Sequence, residues 1–139
     1  MLGRMLGMKN YTQEYVDASR ARIARQIAMF VSGVGLEANP EFEAAYFNNL
    51  LVVLDAHFVH RLRGVEKKDG NPLNEVRVIC ASLLENDELM GSDPAIQLTP
   101  EKSVLGLAEG DSIRLNREDF IRLASAFFEE LEDKFVASE

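Results

Sequence analysis

The chain has 139 residues, 47% of them hydrophobic and 27% charged, with one cysteine and a formal net charge of −8. That length suits one hydrophobic core, and that composition excludes a long disordered chain. A single cysteine excludes an intramolecular disulfide and a cysteine-built zinc site, and the acidic balance argues against non-specific binding to nucleic acid or anionic lipid.

The charge is unevenly spread. Residues 57–80 carry five basic and three acidic groups, whereas residues 81–139 carry five basic and fourteen acidic ones. Residues 1–10 read as a flexible lead-in to a single helical domain over 11–137. The apolar residues of MLGRMLGM are broken by Gly3, Arg4 and Gly7, too short a run for a secretory signal. No apolar run approaches the roughly 20 residues needed to span a bilayer. A lone thiol fits a reducing compartment, so a cytoplasmic location is expected.

A first helix is predicted over residues 12–34. Asn10 or Thr12 can cap its free amides, Gln13 stands three after Asn10 as in a capping box, and Gly33 and Gly35 mark its end. Val16, Ile23, Ile27, Phe30, Val31 and Val34 recur at helical spacing. A second helix is predicted from Asn39, with Pro40 at its first position, to about Arg63, with Gly64 as the stop. Its stripe of Phe47, Leu51, Leu54, Phe58 and Leu62 is joined by a second of Phe42, Tyr46, Leu50 and Val53. A helix apolar on so much of its circumference should be central to a bundle.

Asn71 and Pro72 repeat the cap-and-proline start, and the third helix should reach about Asn86, burying Leu73, Val76, Ile79, Cys80, Leu83 and Leu84. Residues 87–116 lack a sustained period. Thr99-Pro100-Glu101 suits one helical turn closed by Gly106, and Leu105/Leu107 with Ile113/Leu115 suit a small hairpin around residues 108–111. Asn116 caps a last helix with a Phe-rich face. The fold expected is all-α: a four-helix bundle-like domain with a short irregular or hairpin insert before the last helix.

Candidate chemistry concentrates in one place. His57 and His60, the only histidines, lie three residues apart on the second helix and should both point inward. Two imidazoles on one face can ligate a metal if other helices add carboxylates, with Glu75 a conceivable partner. The Glu-x-x-His and HExxH patterns are both absent, however, so no metal site and no cofactor is expected. The polar run that follows supplies Arg61, Arg63 and Lys68 beside Asn71, Asn74 and Glu75, where cations and free helix amides could hold a small anion. The plainer reading is that Arg61 and Arg63 sit at a helix's negative pole and the lysines in a solvated loop. Cys80 lies within an apolar stripe and reads as core rather than nucleophile.

The segments His60-Arg61-Leu62-Arg63 and Lys68-Asp69-Gly70-Asn71-Pro72-Leu73-Asn74-Glu75-Val76-Arg77 resemble a family of small uncharacterised bacterial helical proteins. Pro100-Glu101, Ser103-Val104-Leu105 and Gly110-Asp111 with Ile113-Arg114-Leu115 are similar to that family's later part. The resemblance covers residues from about 46 to 135. It implies a complete helical domain and carries no activity, ligand or partner.

The function expected is non-enzymatic binding or protein interaction, with a homodimer through an apolar face as one form of it. The alternative is a small-molecule, anion or metal site, catalytic or not, built from the His/Arg/Glu cluster at one end of the bundle. Nucleic acid ranks last, because the acidic final third repels phosphate.

Overall fold

The computed structural model describes residues 9–35 and 37–136. The first eight residues of the expected lead-in therefore lie outside the described residues. Among the described residues five α-helices follow one another: α1 Gln13–Val34, α2 Pro40–His57, α3 Arg63–Glu66, α4 Pro72–Glu85 and α5 Arg117–Phe135. The architecture is all-α, with one 3-10 turn, Pro100–Lys102, inside the long insert between α4 and α5.

The helix starts follow the capping residues. Thr12 accepts from the amide of Tyr15, Asn39 from those of Glu41 and Phe42, Asn71 from Asn74, and Asn116 from Asp119. The capping box expected from Asn10 is not formed: the Gln13 amide group turns instead to Asp17 and Glu132. At the far end, Glu43 of α2 reaches across to the Arg117 amide at the start of α5.

One continuous core runs through the helices, with Phe47, Phe58, Phe120, Phe127 and Phe135 fully buried. Sequestering such side chains stabilises by about 2–3 kcal/mol each before ordering costs are subtracted. The stripe Phe47, Leu51, Leu54 and Phe58 faces this core as expected. The second stripe does so in part: Leu50 is buried and Tyr46 packs against the core, whereas Phe42 is 51% and Val53 38% exposed. α2 packs on α1, α4 and α5, while α5 touches all four other helices, so the bundle centres on α5 at least as much as on α2.

Further expectations are corrected, beginning with Leu84, which is 68% exposed rather than buried. The second helix stops at His57 rather than near Arg63; residues 58–60 form a turn and the chain re-enters one helical turn at α3. The break lets the Arg61 guanidinium turn inward, where it bonds the Phe58 carbonyl and Asp55 on one side and Glu66 and the Leu73 carbonyl on the other. The hairpin is also absent. Asp111 closes the turn with the amide of Ala108, but the returning chain pairs with residues 88–90, through Met90 N to Asp111 O at 2.7 Å and Ile113 N to Glu88 O at 2.9 Å.

Buried side chains pin that insert. Asn48 donates to the Ile113 carbonyl at 2.9 Å and accepts from the Leu115 amide at 3.1 Å. Glu75, 1% exposed, accepts from the amides of Val104 at 2.8 Å and Leu105 at 3.0 Å. Each supplies an irregular segment with the bonds a neighbouring strand would otherwise give. Gly70 lets the insert approach, since a Cβ there would stand 2.9 Å from the Gln97 carbonyl oxygen.

Candidate functional site

The polar run from Asp55 to Arg77 divides into a closed knot and an open groove. Glu66 is the hub of the knot, with no exposed surface. Its carboxylate accepts from Arg61 Nε and, at 2.9 to 3.1 Å, from Arg77, while Arg63 stands 3.4 Å away. Arg61, its side chain fully buried, also donates to Asp55 at 3.0 Å and to the carbonyls of Phe58 and Leu73, and its guanidinium lies over the Phe127 ring. Lys134 adds a bond to the Glu66 carbonyl at 3.0 Å.

The helix terminus proposed for an anion is filled by the chain itself. Asn71 caps the Asn74 amide and donates to the Glu66 carbonyl and to Asp69, whose carboxyl that amide group holds below its ordinary value. Asn74 donates to the carbonyls of Lys67 and Asp69. Lys68 is exposed, and its carbonyl receives the Gln97 amide. Glu75 faces the insert and bonds neither histidine. Arg61, Arg63 and Asn71 are thus brought together, but around Glu66 rather than around a vacant space.

The histidines part company. His57, the last residue of α2, is half-buried; His60, in the turn beyond, is exposed rather than turned inward, because the helix has already ended. His57 Nδ1 lies 2.7 Å from the Ser19 hydroxyl of α1, and its carbonyl accepts from the Tyr15 hydroxyl. Burial, and then the charge of Arg22, hold the imidazole below its usual value of 6.5, so it is neutral near pH 7.

Both imidazoles border a groove of about 490 Å³ lined by Asn10, Tyr11, Thr12, Tyr15, Ala56, His57, Val59 and His60. Its wall is anchored to the core. Phe58 packs edge-on against Tyr11 at 5.0 Å and Tyr15 at 5.4 Å, and the Tyr11 amide donates to the Phe135 carbonyl at 2.7 Å. Burial pushes the Tyr11 phenol up to about 12, so it stays protonated. Tyr15 and Val59 are nearly half exposed, an apolar surface facing solvent.

Among the described residues no group of three or more His, Cys, Asp or Glu side chains is placed to hold a metal. Cys80 is buried, donates weakly to the Leu51 carbonyl at 3.6 Å, and burial pushes its thiol up, so it is no nucleophile. A second cleft of about 500 Å³ beside α4 is bordered by Glu85, Asp93 and Glu109 around Arg77, whose guanidinium is already on Glu66.

Sequence reasoning missed Glu66, Asn48, Ser19 and the two groove tyrosines. Ser19 had a signal: it fills the slot between Val16 and Ile23 on the buried face of the first helix, where a polar group needs a partner. Glu66 had none, since Glu-Lys-Lys-Asp-Gly reads locally as a solvated loop. Neither protein-family models nor curated proteins nor solved structures give a match to this chain.

Proposed function

We propose that the chain is a non-enzymatic binding domain whose binding surface is the groove between the start of α1 and the turn after α2, and that it takes a small, flat, largely apolar group. One observation carries this reading. Two tyrosines, two imidazoles and Val59 border a groove of about 490 Å³, within the range of small-molecule sites, and among the described residues no Lys, Arg, Asp or Glu lines it. The neighbouring charged groups Arg61, Glu66 and Glu75 are engaged by partners within the chain. That pattern favours an uncharged ligand over an anion.

The reading is tested by following backbone amide NMR signals during titration with millimolar acetophenone and, separately, inorganic phosphate. Acetophenone is expected to move the signals of Tyr15, Ala56 and Val59. Unmoved groove signals, or movement confined to the Lys67–Lys68 loop under phosphate, would reverse the assignment.

A further inference from the structure

We infer that His57 presents an Nε2–H donor to the groove, fixed in that tautomer by Ser19, and that the ligand therefore carries an uncharged carbonyl oxygen on its apolar body. This rests on the groove being the binding surface.

The argument starts with Ser19. It is 6% exposed, and its hydrogen-bond partner is His57 Nδ1 at 2.7 Å. A hydroxyl enclosed in that way must place its proton on an acceptor. Nδ1 is the acceptor in reach, so Ser19 donates to it, and a neutral imidazole that accepts at Nδ1 carries its own proton on Nε2. Burial and Arg22 favour the neutral ring near pH 7.

The open side of the ring follows by elimination. Among the described residues Asn74 Oδ1 is the one side-chain nitrogen or oxygen enclosed without a partner. Among the described residues His57 Nε2 has no partner and is not enclosed, and His57 borders the groove. The Tyr15 hydroxyl, by contrast, is already donated to the His57 carbonyl. A fixed donor beside apolar walls selects an acceptor, and with no Lys or Arg among the described residues that line the groove, a neutral carbonyl suits it better than a carboxylate. Ser19 is thus a positioning residue that acts through His57.

The test pairs two ligands of similar shape with two variants, read by amide NMR titration. Acetophenone carries the oxygen; isopropylbenzene does not. His57→Phe keeps the apolar wall and is expected to weaken acetophenone by about three- to tenfold, one neutral hydrogen bond's worth, while leaving isopropylbenzene unchanged. Ser19→Ala is expected to lose the same preference more weakly. Its imidazole ¹⁵N shifts should show a mixture of tautomers where the native ring shows the proton on Nε2 alone, a signature that a merely structural serine would not move. If both ligands shift the groove signals but His57→Phe weakens them equally, the groove stands and the carbonyl reading falls. A native ring protonated on Nδ1 overturns it independently, and groove signals unmoved by either ligand bring down both readings together.

Discussion

His60 and Arg61 are neighbours in the chain, yet the first stands in solvent and the second has no exposed side-chain surface. The turn that ends α2 sorts the polar segment into two environments. On the knot side, carboxylates and carbonyls of the same chain surround the guanidinium, and Glu66 is shared among three arginines. On the groove side, aromatic walls, Val59 and the exposed His60 ring face solvent among the described residues. The difference teaches that charge density in a sequence does not locate a binding site: opposite charges close in spacing tend to neutralise one another, and what stays open is what lacks an internal partner. Buried ion pairs of this kind add little net stability over apolar packing, but losing one member leaves a stranded charge.

Removing the hub should therefore give the largest effect. Glu66→Ala is expected to cost about 3–5 kcal/mol in denaturant unfolding, because Arg61 would remain enclosed without its carboxylate. A loss below about 1 kcal/mol would show the knot to be hydrated and the contrast with the groove unreal. Next comes the pinning of the insert. Asn48→Ala should cost about 1–3 kcal/mol and raise amide exchange at Ile113 and Leu115, by stranding one carbonyl and one amide. Unaltered exchange at both would show that the segment holds its place without the side chain.

Lys67 offers a change of opposite sign. It ends α3 at φ 75° and ψ −174°, a region that glycine alone occupies freely. Lys67→Gly keeps the backbone carbonyl that Asn74 uses and should stabilise by about 1 kcal/mol, seen as a raised Tm. A lowered Tm would mean that the turn is not strained.

The smallest expected effect lies at the groove and concerns pH. Burial, then Arg22, hold His57 below 6.5 in the folded chain. The unfolded chain binds the proton as pH falls through 6.5, the folded chain only at lower pH, so this group's contribution is intact above 6.5 and declines between the two values. The stability difference between native protein and His57→Gln should accordingly shrink as pH falls from 6.5 towards 5. Glu132 acts further down. Its bonds from Arg20 and Gln13 hold it below 4.5, so its stabilisation is present above that value and is lost as pH falls through its folded value. A pH-independent difference for His57→Gln would place that ring in free solvent.

The helices were legible because their signals are local. Each of Thr12, Asn39, Asn71 and Asn116 caps the helix it precedes, and Pro40 and Pro72 open theirs. The stop of α2 was not, since nothing between Asp55 and Gly64 breaks a helix by propensity; the break goes with Arg61 meeting Glu66 and Leu73 in space. For the same reason Leu105 and Leu107 alternate like a strand, yet their segment is tied by Glu75, some thirty residues earlier in the chain. Of the candidate site, the neighbourhood of His57 and His60 could be read from the sequence. Its other wall comes from residues 10–15, and no local pattern joins that segment to the end of α2.

The contrast between knot and groove is tested most directly by adding a neutral gadolinium chelate and measuring paramagnetic broadening. The ring protons of His57 and His60 and the amide of Val59 are expected to broaden strongly, while the Arg61 Nε–H signal stays sharp. Broadening of Arg61 equal to that of His60, or protection of both imidazoles alongside it, would contradict the account.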